Sequence, residues 1–88
     1  MSARPVVKTS LMAADMQEAA IIAAQDAINS YTTEQEIASA IKAQFELQFP
    51  SVWHCFIGRN FGCFVTHEAS KFIYFYIGQM GICLFATA

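Results

Sequence analysis
Basic charge is the first thing this sequence is short of. It has five Lys and Arg against seven Asp and Glu, a formal net charge of -2 and a pI near 5.5. The positive footprint that general nucleic-acid binding requires is missing. Charge of either sign is sparse, 14% of 88 residues beside 56% hydrophobic, and that balance excludes intrinsic disorder. The chain has only four glycines and two prolines, and it holds no low-complexity tract or internal repeat. No Cys-x-x-Cys pair is present, the three cysteines are an odd number, and no apolar run suited to a signal peptide opens the chain. Free thiols in a reducing compartment are therefore expected rather than a disulfide framework. What abounds is apolar surface. A 9.7 kDa chain reads as one domain over residues 1–88, and a domain this small cannot hide so much within itself. A partner surface is the expected destination of the excess.

The charges are unevenly spread. Nine of the twelve fall between Met1 and Glu46, and only Arg59, Glu68 and Lys71 follow, so the carboxyl half is expected to be mostly buried. Its uncharged stretch from Phe72 to Ala88 approaches the roughly 20 residues of a membrane span. Gly78, Gln79 and Gly81 interrupt it, however, and aromatic and β-branched residues crowd its start. Two strands joined by a tight turn at Gly78-Gln79 fit better.

The amino half reads as a short strand and two helices. Pro5 to Thr9 is extended, after which Asp15 and Glu18 stand at capping-box spacing before an alanine-rich helix running to about Tyr31. Met16, Ala20, Ala23, Ala27, Ile28 and Tyr31 form its apolar stripe. Thr33 and Glu36 then make a second and clearer box, followed by Ile37, Ile41 and Phe45 at four-residue spacing, and Pro50 ends that helix. Four strands follow, at Val52 to Ile57, Phe61 to Thr66, Phe72 to Ile77 and Met80 to Phe85. The fold class is α+β, two helices packed on a five-stranded antiparallel sheet. Strands apolar on both faces predict a sheet covered twice, and two helices cover only one face. The other requires a second chain, most simply a second copy packed back to back.

Residues Trp53-His54-Cys55-Phe56-Ile57-Gly58-Arg59-Asn60-Phe61-Gly62, then Val65-Thr66-His67-Glu68 and Phe72 to Gln79, closely resemble the small dynein light chains of the eight-kilodalton class. The likeness spans nearly the whole chain, with Val7-Lys8, Tyr31, Glu34, Ile37 and Ile41 also matching. It implies a non-catalytic light chain of a dynein motor, working as a strand-swapped homodimer in which the segment around Phe61 to Thr66 joins the partner's sheet. Two grooves at the dimer edge would each take an extended client segment with a Thr-Gln-Thr-like core, above all from a dynein intermediate chain. The mode is strand addition, in which main-chain bonds supply affinity and side-chain pockets selectivity. Two grooves in one dimer give avidity for paired clients.

Carried over position by position, the resemblance implies a groove floor and walls of Phe61, Val65, Phe72, Tyr74, Tyr76 and Cys83. Beside them lie Lys8, Arg59, Asn60, Gly62, Cys63, Phe64, Thr66 and His67. Glu34 and Gln35, at the start of the second helix, would meet the client glutamine where free amides await an acceptor. The dimer contact would draw on His54, Phe61, Cys63, Phe64, Val65, Thr66 and Thr87. A neutral His54 near the dimer axis that charged in acid would repel its twin and loosen the dimer. A phosphate on Thr87 would disrupt the same contact. The implied setting is cytoplasm and cytoskeleton, with no cofactor, metal, nucleic acid or membrane partner.

Some positions depart from the family pattern: Gln35 and Ala43 for lysine, Cys63 for serine, Phe64 for tyrosine, and Gly81 and Cys83 in a usually larger aliphatic stretch. The end Ala86-Thr87-Ala88 also lacks the family's lysine and serine. A drier contact motivates an alternative, an axonemal outer-arm light chain in the cilium that pairs with other light chains of its type as a heterodimer. His54 and Cys55 are adjacent on one strand and so point to opposite faces, which argues against a nucleophile and base pair. The three cysteines with His54 and His67 lack the spacing of a zinc site.

Overall fold
A computed structural model describes residues 4–59 and 71–87. The elements run β1 (Pro5–Ser10), α1 (Ala14–Ser30), α2 (Glu34–Gln48), β2 (Val52–Arg59), β3 (Phe72–Ile77) and β4 (Met80–Thr87). The strands form one antiparallel sheet in the order β1-β3-β4-β2, so the described residues supply four strands where five are expected. The fifth, Phe61 to Thr66, lies outside the described residues, as does the strand exchange expected of it. β2 also runs two residues further than expected, because Gly58 pairs with Gly81 and Arg59 with Met80. A glycine opposite a glycine leaves the ladder intact. The β3–β4 turn falls where expected, with Gly78 at φ 63°, a conformation that glycine adopts without penalty.

The second helix obeys its local signals. Thr33 Oγ1 accepts from the Glu36 amide at 3.1 Å, and Glu36 Oε1 accepts from the Thr33 amide at 3.4 Å. At the far end the Phe49 amide donates to Phe45 O at 2.8 Å, and the backbone is extended at φ -132°, as befits a residue before proline. The first helix does not use the box expected of Asp15 and Glu18. Its N-cap is Ala13, which offers no side-chain acceptor, and Asp15 lies inside the first turn, bonded to the Met16 amide at 2.9 Å. Burial of Met12 and of the face Ala20, Ala23, Ala24 and Ala27 sets where this helix begins, and that outweighs a cap worth about 1 kcal/mol. Tyr31, expected in the stripe, is 45% exposed at the end of the helix.

Both helices lie on one face of the sheet. Alanines on α1 let it pack closely on α2, whose Ile37, Ile41 and Phe45 are buried against Trp53, Ile73, Phe75, Ile82 and Leu84. Trp53 joins the layers: its ring meets Phe45 edge-on at 4.8 Å, and its Nε1 donates to Phe49 O at 2.7 Å, which satisfies the one polar atom of the indole. No helix among the described residues is long and apolar enough to cross a membrane.

Candidate functional site
Side chains on a strand alternate between faces, and the cross-strand register sorts the expected site residues. Trp53, Cys55 and Ile57 on β2 point toward the helices with Leu84 and Ile82 of β4. Val52, His54 and Phe56 point away. They share that second face with Phe85 and Cys83 of β4, and with Phe72, Tyr74 and Tyr76 of β3, where Phe72 pairs with Phe85 and Tyr74 with Cys83. The structure thus brings together Phe72, Tyr74, Tyr76, Cys83, His54 and Thr87, all expected in the groove or the dimer contact.

This face is aromatic and continuous. His54 stacks on Phe85 at 5.2 Å between ring centroids, Phe56 on Phe85 at 5.9 Å, and Tyr74 meets Tyr76 at 5.6 Å. Thr87 Oγ1 lies 3.2 Å from His54 Nε2. The Tyr74 hydroxyl donates to that of Tyr76 at 3.1 Å. Ionisation would forfeit this bond, so Tyr74 is pushed up to about 12, first by that bond, then by burial and the neighbouring phenol. Lys8 sits at a register shift between Val7 and Thr9, and its Nζ lies 5.9 Å from the Tyr76 ring centre, at the outer reach of a cation–π contact.

The face is not uniformly bare within the single chain. Phe72, Cys83 and Phe85 are buried, whereas Val52 is 52% and Phe56 55% exposed, beside half-buried His54. Cys83 is disulfide-bonded and Cys55 is free, which corrects the expectation of three free thiols. The free thiol of Cys55 is turned toward the helix-side core. Burial there pushes Cys55 from the usual 9.0 to about 12. Such a thiol stays protonated at neutral pH and is a poor nucleophile. With His54 across the sheet, the two cannot exchange a proton directly. No group of three or more His, Cys, Asp or Glu gathers among the described residues.

Three expected residues lie away from this face. Glu34 and Gln35 open α2 in the helical layer, where Gln35 lines a shallow depression of about 630 Å³ with Tyr31, Thr33, Glu36, Ser39 and Ala40. Arg59 is exposed at the end of β2, opposite Met80. Asn60, Phe61, Gly62, Cys63, Phe64, Val65, Thr66 and His67 lie outside the described residues. Val52, Phe56 and Phe85 were not expected in the site; the parity of Val52 and Phe56 with His54 along β2, and the pairing of Phe85 with His54 across the ladder, are the signals that would have found them. The arrangement as a whole is a hydrogen-bonded aromatic platform beside a sheet edge. β2 pairs only with β4 among the described residues, so its other side presents amides and carbonyls in a row.

The family model for dynein light chain type 1 matches residues 4–87. Among solved structures, the dynein light chain-like domain of the Fasciola hepatica calcium binding protein FhCaBP2 superposes with a TM-score of 0.83 at 19% identity, over 98% of this chain and 93% of that one. A mercury derivative of the same domain gives 0.82 at 19% identity, over 100% and 96%. At that identity the likeness bears on the fold.

Proposed function
This chain belongs to the dynein light chain type 1 family, and from that premise we propose that it is a non-catalytic light chain that dimerises through the open sheet face and clamps disordered client segments by strand addition. The observation that carries the reading is β2. It is eight residues long, free of proline and lysine, pairs on one side only among the described residues, and adjoins a face where Val52 and Phe56 stand more than half exposed. Proteins ordinarily blunt such an edge unless another strand is to occupy it. The partner's Phe61 to Thr66 segment would add there, and the client would add beyond it.

The client glutamine would be held at the start of α2. The capping box takes up the Glu36 amide, and the first amides of the helix at Glu34 and Gln35 have no intrahelical acceptor. Glu34 and Glu36 repel a carboxylate at that point, which leaves a neutral amide oxygen as the better ligand. Dynein intermediate chains are the proposed clients, in the cytoplasm and on the cytoskeleton. The axonemal heterodimer is the narrower version of the same role.

Calorimetric titration with a Thr-Gln-Thr-containing peptide tests this reading. One peptide per chain, with two peptides per complex, supports it. Absence of binding at millimolar peptide overturns it.

A further inference from the structure
The helical layer carries a second surface that the client reading does not use. Between Ala14 and Gln48 there are six carboxylates and one lysine. That lysine, Lys42, is already held by Glu46 at 2.7 Å. The rest of the chain has four cations and one carboxylate, so the molecule is polarised, with its negative side on the helices.

The seam between α1 and α2 concentrates this. Two depressions of about 310 Å³ each lie along it and share Ala23, Asp26 and Gln44, forming one furrow from Asp15 to Tyr31, about 24 Å at 1.5 Å per residue. Its floor is alanine, from Ala23 and Ala27 on α1 and Ala40 and Ala43 on α2. Large apolar side chains stand open along it: Leu47 is 82% and Ile22 49% exposed. Asp15, Glu18 and Asp26 line it from α1, no lysine or arginine does, and none of the three is ion-paired among the described residues. With the alanine floor, these two side chains make the furrow an apolar strip rimmed by carboxylates.

We infer that this furrow docks a basic amphipathic helix of a partner protein. A furrow between two helices offers no free backbone edge to a strand, and its ridges accept those of a third helix. The apolar stripe of that helix, at three- and four-residue spacing, covers Ile22 and Leu47. Lysines or arginines flanking the stripe meet Asp15, Glu18 and Asp26. Charge steers the encounter and sets the orientation, so binding weakens as salt rises.

The test uses an 18-residue helical peptide with leucines at heptad spacing flanked by lysines, and its counterpart with every lysine replaced by glutamate, followed by amide chemical-shift mapping on the full chain. The basic peptide is expected to shift Ile22, Asp26, Ala43 and Leu47, with the acidic peptide at least tenfold weaker. Leu47→Ser and Asp26→Lys, both at exposed positions, are each expected to weaken the basic peptide about tenfold. A Thr-Gln-Thr peptide is expected to bind at the same time without displacing it, which separates this surface from the client groove. Shifts confined to the open sheet face, equal binding of both peptides, or no shifts at millimolar peptide would each overturn the inference.

Discussion
On the helix side of the sheet Trp53, Ile73, Phe75, Ile82 and Leu84 are sealed, whereas on its opposite face Val52 and Phe56 of β2 stand more than half exposed. Both faces are built from the same large apolar residues. The difference lies in what covers them: α1 and α2 close one side, and the chain as described closes the other only over Phe72, Cys83 and Phe85. The first face holds the fold together. The second keeps Val52 and Phe56 exposed, and the proposed dimer contact falls there.

Substitutions should separate the two, and the largest effect belongs to the sealed side. Trp53→Ala removes the ring against Phe45 and the bond to Phe49, and is expected to cost about 3–5 kcal/mol in urea denaturation, a large part of a total stability of about 5–15 kcal/mol. An unchanged midpoint would mean that the layers are joined elsewhere. Phe56→Lys on the open side is expected to leave the circular dichroism spectrum intact. It should weaken self-association at least tenfold in sedimentation, equivalent to about 1.4 kcal/mol or more. Loss of structure instead would place Phe56 with the core.

The helix starts give a smaller contrast. Thr33→Ala breaks a complete capping box and is expected to lose about 1 kcal/mol. Ala13→Ser supplies the side-chain acceptor that α1 lacks and is expected to gain about 0.5–1 kcal/mol. Equal melting shifts of one sign would refute the assignment of the caps.

The smallest effect at neutral pH comes from Cys55. Its folded value is raised from 9.0 to about 12, so the unfolded chain releases the thiol proton first. The resulting stability is complete below about 9 and is lost as pH rises toward 12, with Tyr74 acting in the same direction between its usual 10.0 and about 12. Alkylation at pH 8 is expected to be far slower for the folded chain than in denaturant. Equal rates would show an open thiol.

Where local chemistry decides the outcome, it can be read from residues alone. Thr33, Glu36 and the Ile37, Ile41, Phe45 series define α2, and the aromatic run from Phe72 to Ile77 has the bounds of β3. Where packing decides, it cannot. Met12 and the alanine face fix the start of α1 against the pattern of Asp15 and Glu18, and the pairing of Gly58 with Gly81 carries β2 through what looked like a turn. The candidate face was legible at Tyr74, Tyr76 and Cys83. Phe56 and Phe85 were missed because their place on that face depends on the register between β2 and β4, which no single strand reveals. The charge polarity of the helical layer was countable from the sequence, but the furrow that concentrates it needed the crossing of two helices.

Sedimentation equilibrium at neutral pH, with and without a Thr-Gln-Thr peptide, addresses the open face most directly. The expected result is a species of twice 9.7 kDa that takes up two peptides and falls apart in Phe56→Lys. A monomer of 9.7 kDa at every concentration, indifferent to the peptide, would contradict the account.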